Sequence, residues 1–320
     1  MIAVVIPYFQ REPGILRKAL ESVFASEGAG DVCVILVDDE SPVPATEELA
    51  KIGDTRFSVK LIQQRNAGPG GARNTGLDNL PDEVDYIAFL DSDDTWGPQH
   101  LRSAIFALEA GFDVYFCDHV QLGAEDSAFR RAGRIDPTKH RMIGGHPEIH
   151  AYEGDMFDQI ITGNIIGTST VVFDRRKFDG LRFRTDLTSA GEDYLFWLDL
   201  AHRGARFAFG AMPSVFYGKG VNVYAGAGWG TDGHARRIVH ELTYRKALLS
   251  LYKLNGAQAE LVEGAIGRLE EAFVADSLHR VAHRKVIDWK LVFAMLEMEP
   301  RILLRFVGAI SGKVLSSIRR

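Results

Sequence analysis

In the first 118 residues, short runs that are apolar throughout alternate with amphipathic stretches, and this alternation restricts the chain to one broad architecture. The runs Ile2–Ile6, Cys33–Val37, Ser58–Gln63, Tyr86–Leu90 and Val114–Cys117 have the length and composition of strands. Helical patterns lie between them, around Gly14–Ala25, Pro44–Ile52, Gly71–Leu80 and Pro98–Ala110. Strands without polar alternation must be covered on both faces, so the expected fold is α/β, a mostly parallel sheet flanked by helices. Ligands of such sheets bind beyond the carboxyl ends of the strands. The polar residues that follow each strand are therefore the candidates for chemistry.

Beyond this half the pattern dissolves. Residues 119–153 are polar, basic and rich in histidine, too long for an ordinary connection, and read as a functional insertion or a mobile loop. Periodicity returns with a helix near Asp155–Ile161, a strand at Ser169–Phe173, a helix from Glu192 to about Arg203, and short strands at Arg206–Phe209 and Val215–Tyr217. The Gly-rich run GKGVNVYAGAGWGTDG reads as a flexible loop, and the chain is mostly helical after Thr231. The expected organisation is one α/β domain over 1–230, in two halves (1–118 and 119–230), followed by a helical extension over 231–320.

A net charge of −6 gives no nucleic-acid footprint. Cys33 and Cys117 both fall in strand runs and read as buried thiols rather than a disulfide. There is no charged leader before the first strand, and no stretch of ~18 uncharged apolar residues to span a bilayer. A cytoplasmic protein is expected, at the inner face of the plasma membrane if it touches lipid at all.

Three acidic groups fall just after strands or at a helix start: Asp38-Asp39-Glu40-Ser41, Asp91-Ser92-Asp93-Asp94 and Glu192-Asp193. Singly, each suits a turn or a helix cap. At one sheet edge together, so much negative charge demands a cation or a ligand. Carboxylates two apart can hold magnesium or manganese alongside phosphate oxygens. Between the first two groups, the run Asn66-Ala67-Gly68-Pro69-Gly70-Gly71-Ala72-Arg73-Asn74-Thr75-Gly76 opens a helix and offers backbone N–H groups to an anion.

Taken in order, VVIPYFQR, LVDDES, RNAGPGGARNTG, YIAFLDSDDTW and GEDYLFW resemble glycosyltransferase family two, whose fold is GT-A, over about residues 2–205. The resemblance implies a metal-dependent, inverting sugar transfer from a nucleotide-sugar. It points toward bacterial exopolysaccharide enzymes of the succinoglycan kind, which would use UDP-glucose and a saccharide or lipid-linked saccharide acceptor. It implies Pro7 and Phe9 at the uridine, Asp39 on the uracil, and Arg11, Arg73 and Ser92 around the nucleotide-sugar. Asp91 and Asp93 would form the D-x-D pair toward ribose and Mn2+ or Mg2+, and Asp193 would be the general base. Tyr8-Phe9-Gln10 stands where Thr-Tyr-Asn is usual, and Glu40 where Gly is common, which bears on the base pocket alone.

An inverting transfer needs one carboxylate to take the acceptor proton, with the leaving diphosphate neutralised by metal. Asp193 is preferred to Glu192 because neighbours at a helix start point differently and the resemblance places the base second; support of the helix dipole is the plain alternative for both. His119 and His234 could reach the metal or diphosphate, with His234 a candidate ligand, and Trp229 could stack on a sugar; His202 reads as packing or surface. Residues 300–320 place Leu303, Val307, Ile310, Val314 and Leu315 on one helical face beside Arg301, Arg305, Lys313, Arg319 and Arg320. That pattern suits peripheral contact with an anionic membrane, or packing on protein within a subunit or a homodimer. A nucleotidyltransferase, which should carry a Gly-rich loop directly after the first strand, and a non-catalytic binding module are the rival readings.

Overall fold

The computed structural model describes residues 1–53, 56–187, 191–219 and 227–318, with side chains throughout except at 232, 310 and 312–318. The chain divides into two compact units, 1–188 with 192–221, and 189–191 with 222–320.

The described residues of the first unit form a nine-stranded sheet. Its strands are β1 (Ile2–Tyr8), β2 (Val32–Asp39), β3 (Ser58–Gln64), β4 (Tyr86–Phe89), β5 (Thr95–Trp96), β6 (Val114–Val120), β7 (Ile149–Ala151), β8 (Val172–Asp174) and β9 (Phe207–Phe216). They lie in the order β3-β2-β1-β4-β8-β6-β9-β5, with β7 paired to β9. β1 and β2 are buried along their whole length, which is why their sequences carry no polar alternation. The chain runs outward from β1 to β2 and β3, then returns to the other flank of β1 as β4, all in parallel. That reversal opens a crevice beyond the carboxyl ends of β1 and β4.

Helices α1 (Ile15–Phe24), α2 (Ala45–Leu49), α3 (Gly68–Asp78), α4 (His100–Glu109), α5 (Ala128–Ala132), α6 (Met156–Thr162) and α7 (Glu192–His202) belong to this unit. α1 buries Leu16, Ala19, Leu20 and Val23, the spacing of one helical face. Cys33 and Cys117 are free and buried.

Three features depart from the sequence reading. β8 runs antiparallel to both neighbours, β4 and β6. Residues 119–153 are not one loop: they carry α5, a 3-10 turn at Pro137–Lys139, and β7 paired with β9. Their buried apolar anchors, Phe129, Ile135, Ile143 and Ile149, are spaced too irregularly to reveal a helical or strand period. The two short strands expected around 206–217 are one, β9, whose pairing with β6 skips from Gly210 to Val215. Pro213 sits in that skip, where its missing N–H breaks no ladder bond with β6.

The second unit is helical: α8 (Asp232–Leu251), α9 (Gly256–Ala282), α10 (Trp289–Met298) and α11 (Ile302–Ile318). Asn255 and Gln258 close a capping box at the start of α9, and Asp288 caps α10. α11 packs on α9, with Arg305 reaching Glu270 at 2.7 Å and Glu271 at 3.0 Å, and Ile302 at its start is buried. Among the described residues no helix is long and apolar enough to cross a membrane. Residues 220–226 of the Gly-rich run, the side chains of Ile310, Lys313, Val314 and Leu315, and Arg319 and Arg320 lie outside the described residues.

Candidate active site

The crevice is laced together by side chains from three strand ends. The Gln10 backbone N–H donates to the Ser41 hydroxyl at 2.8 Å, and the Gln10 amide donates to the Ser92 hydroxyl at 3.0 Å. Gln10 and Ser92 are buried, so this amide, standing where Asn is usual, works as a tie beneath the crevice. Pro7 is buried within β1, Phe9 is half-buried and Arg11 is exposed at the rim.

The two aspartates after β2 have separate jobs. Asp38 accepts from the N–H groups of Ser41 and Ala45, each at 2.9 Å, shaping the turn into α2. Asp39 faces the Gly-rich start of α3, where one oxygen accepts from the Ala67 N–H at 2.8 Å and the Gln64 amide at 2.7 Å. Glu40 has φ of 60°, in the left-handed region that favours glycine. This explains why Gly would be the natural occupant there. The Glu40 carboxylate offsets part of that strain by accepting from the Asn66 N–H at 3.2 Å.

Arg73 and Asn74, adjacent on α3, reach across the unit. The buried Arg73 guanidinium donates to Asp91 at 2.7 Å and to Glu192 at 3.3 Å. Burial alone would lower its proton affinity, but Asp91 and Glu192 outweigh that and hold it charged. Asn74 makes a paired bond with the Phe183 backbone, at 2.8 and 2.7 Å. Phe183 in turn stacks on Phe196 of α7 with ring centroids 4.1 Å apart, fixing the helix that begins with Glu192 and Asp193. Replacing Arg73 with Leu would leave the Glu192 carboxylate buried and unpaired. The expected result is a loss of about 3–5 kcal/mol of stability, read from the urea midpoint.

The acidic turn after β4 is crowded. Burial, then repulsion from Asp91, pushes the Asp93 carboxyl up to about 6. Asp94, deeper still, is raised by burial and then by Asp91 and Asp93. Asp94 accepts from the Ser169 hydroxyl at 2.6 Å and from the Gly218 N–H at 3.1 Å. Gly218 lies so close on this turn that an added Cβ would collide with the Asp93 carbonyl oxygen.

Of the three carboxyls in these four residues, only Asp91 is ion-paired among the described residues, to Arg73, so the turn has anionic capacity to spare. Oxygen donors of this kind fit a hard divalent cation. Among the described residues no three or more His, Cys, Asp or Glu side chains converge as a closed metal cage. Magnesium-type sites commonly use one or two carboxylates and complete their shell with substrate phosphates and water.

Asp193, partly exposed at the first turn of α7, accepts from the Thr168 hydroxyl at 3.3 Å and the Tyr194 N–H at 2.8 Å. Burial, then Glu192, raises its proton affinity well above the usual carboxylate range. A carboxyl poised in this way is suited to accept a proton.

Sequence reasoning missed Thr168, Ser169 and Tyr217. The Tyr217 phenol is driven to higher pKa by burial and then by Asp94, Asp91 and Asp193, and its ring stacks on His119 at 4.6 Å. His119 is buried, its Nδ1 has no partner among the described residues, and burial lowers it to about 4. No local motif marks these positions. His202 lies at the end of α7, its ring 5.8 Å from Phe157. His234 and Trp229 belong to the second unit, their rings 5.5 Å apart, with both His234 nitrogens unpartnered among the described residues.

The family model described as glycosyl transferase family 2 matches residues 3–176. The chain belongs to this family. The succinoglycan biosynthesis protein ExoW of Rhizobium meliloti is 31% identical to this glycosyltransferase over 94% of the chain and 95% of its own length. The Staphylococcus aureus TarS fragment 1–349 in complex with UDP-GlcNAc superposes with a TM-score of 0.55 at 17% identity, covering 85% of this chain and 81% of that one. The Pyrobaculum calidifontis mannosyltransferase PcManGT, in complex with GDP-Man and Mn2+, gives 0.56 at 15% identity, covering 96% and 83%. These likenesses establish the GT-A fold. The family assignment sets aside the nucleotidyltransferase and binding-module readings.

Proposed function

We propose that this family 2 glycosyltransferase moves glucose from UDP-glucose to a hydroxyl of a lipid-linked saccharide, with inversion at the anomeric carbon, as a step in bacterial exopolysaccharide assembly. The observation that carries the reading is Asp193, a proton-seeking carboxyl tied through Thr168 to the same framework as the D-x-D turn. The exopolysaccharide context draws on the succinoglycan relative, and the uridine donor on the TarS complex.

In this reading Asp39, Pro7, Phe9 and Arg11 receive the nucleoside, and Arg73 keeps Asp91 oriented. Asp91 and Asp93 would hold manganese or magnesium, which when bound neutralises the diphosphate as it departs. Asp193 takes the proton of the acceptor hydroxyl while that oxygen bonds to the anomeric carbon and the bond to the diphosphate oxygen breaks. The product is the inverted glycoside and UDP, and no separate acid is required. His234, offered by the sequence as a ligand, lies in the second unit.

A panel of UDP-glucose, UDP-galactose, UDP-GlcNAc and GDP-mannose tests the donor, with free nucleoside diphosphate as the readout. UDP release fastest from UDP-glucose, and abolished by EDTA, is expected. Release confined to GDP-mannose would overturn the uridine assignment.

The lipid-linked acceptor gains support from α11. While Ile302 packs inward, Leu303, Leu304 and Val307 are exposed near Arg301. Apolar and cationic groups together favour an anionic bilayer surface. The pair Leu304→Glu with Val307→Glu spares the buried contact. It is expected to lower binding to phosphatidylserine vesicles by roughly 10-fold or more, since each buried apolar side chain contributes about 1.5–3 kcal/mol. Sedimentation with vesicles checks this. Unchanged vesicle binding, or loss of a dimer in its place, would assign the face to protein.

A further inference from the structure

We infer that Thr168 and Ser169 are positioning residues, whose adjacent hydroxyls lock the base Asp193 and the acidic turn Asp91–Asp94 into one rigid frame. The inference rests on the reading of Asp193 as base and extends it to residues that belong to no recognisable motif.

The frame is built from a tight 3-10 turn, Thr168–Thr170, at the head of β8. All three residues are buried, and the Thr170 N–H and hydroxyl both donate to the Gly167 carbonyl, at 2.9 and 2.7 Å. The next residues enter the sheet between β4 and β6. A turn closed on itself and spliced into the sheet is stiff, so whatever its side chains hold is held in register with the sheet.

Its two hydroxyls point to different partners. The Ser169 hydroxyl donates to Asp94 at 2.6 Å and accepts from the Asp91 N–H at 3.0 Å. The Ser169 carbonyl accepts from the Trp96 indole at 2.7 Å, which fastens the far end of the acidic turn. Thr168, one residue earlier, donates to Asp193 at 3.3 Å. Two consecutive side chains therefore span from the donor side of the crevice to the base. Gly167 completes the arrangement. Tyr217 lies directly over it, so that an added Cβ would collide with the phenol oxygen.

The Thr168 hydroxyl has a second consequence. Asp193 faces Glu192 on its own helix, Arg73 from α3, Asp91 from the acidic turn and Tyr217 from beyond β9. Among these Arg73 favours the charged carboxylate, while Glu192 and Asp91 oppose it. Thr168 adds a neutral donor that favours the ionised base. It also selects the rotamer from which the proton is taken.

The test uses the full chain, saturating Mn2+ and whichever UDP-sugar of the panel is turned over fastest. Thr168→Val is expected to lower kcat roughly 10- to 100-fold, the range for a lost hydrogen bond to a charged group, with the donor KM unchanged. The acid limb of kcat/KM should move to higher pH, and Thr168→Ser should restore both kcat and the limb. Thr168→Ala is the substitute if valine is not accommodated. Ser169→Ala, tested instead with Mn2+ varied, is expected to act on the other side, raising the Mn2+ concentration needed for half-maximal UDP binding in calorimetry; an unchanged Mn2+ requirement would remove Ser169 from the frame. Wild-type kcat and pH limb in Thr168→Val, beside an inactive Asp193→Asn, would overturn the inference and leave the base intact. An active Asp193→Asn would instead remove the base reading itself.

Discussion

Asp193→Asn is expected to bind the nucleotide-sugar normally and to lose roughly 10²- to 10⁴-fold in kcat, the contribution typical of a positioned general base. The amide keeps the shape and the bond from Thr168 but cannot take a proton. Its neighbour cannot substitute readily, because Glu192 is buried and engaged by Arg73. The wild-type pH profile should carry the same message. Burial and Glu192 raise the affinity of Asp193 for its proton. The rate should therefore fall with acidification from a pH well above the ordinary carboxylate value of about 4. In Asp193→Asn that limb should vanish. Steady-state kinetics from pH 4 to 9 on both proteins measures the effect. Near-normal turnover in the mutant would transfer the role elsewhere.

Asp93→Ala is expected to abolish turnover and manganese-dependent UDP binding while the protein stays folded. Calorimetric titration with UDP, with and without Mn2+, reads the binding directly. The folded state holds the Asp93 proton more tightly than an unfolded chain would, with the group pushed up to about 6. A carboxyl raised in this way disfavours folding at pH values above its unfolded value near 3.9, and the penalty disappears below it. Removing it at neutral pH should therefore leave the urea midpoint unchanged or higher. A lower midpoint would mean that Asp93 supports the fold; unchanged manganese-dependent affinity would remove it from the metal site.

The parts of the fold legible in the sequence are those dominated by local pattern. β1 and β2 could be read because two-sided burial leaves a run with no polar residue, and α1 because its buried residues repeat on one face. β5 is two residues long, and β7 lies in a basic stretch whose buried anchors follow no period. Their existence depends on β9, a partner distant in sequence. The antiparallel insertion of β8 is likewise a matter of pairing, not of propensity.

The candidate site divides along the same line. Asp39, Arg73, Asp91, Asp93 and Glu192-Asp193 stood out because each lies in a compact acidic or glycine-rich run. The structure joins Arg73 to both Asp91 and Glu192 across 18 and 119 residues of sequence. Gln10 had a motif but no job, and Ser92 a place at the nucleotide-sugar by resemblance; only the geometry reveals that they bond each other. Thr168, Ser169 and Tyr217 had neither, because they reach the crevice solely through the placement of β8 and the end of β9. Glu40 is the converse case, an oddity in sequence that its backbone angle explains.

In the proposed single displacement, Asp193 would deprotonate the acceptor while the nucleotide leaves from the opposite face. The configuration of the new bond tests it most directly. Proton NMR of the glycoside formed from an α-linked UDP-sugar should show a β-linkage alone. An α-linked product would require a second displacement or a front-face path, and would contradict the account.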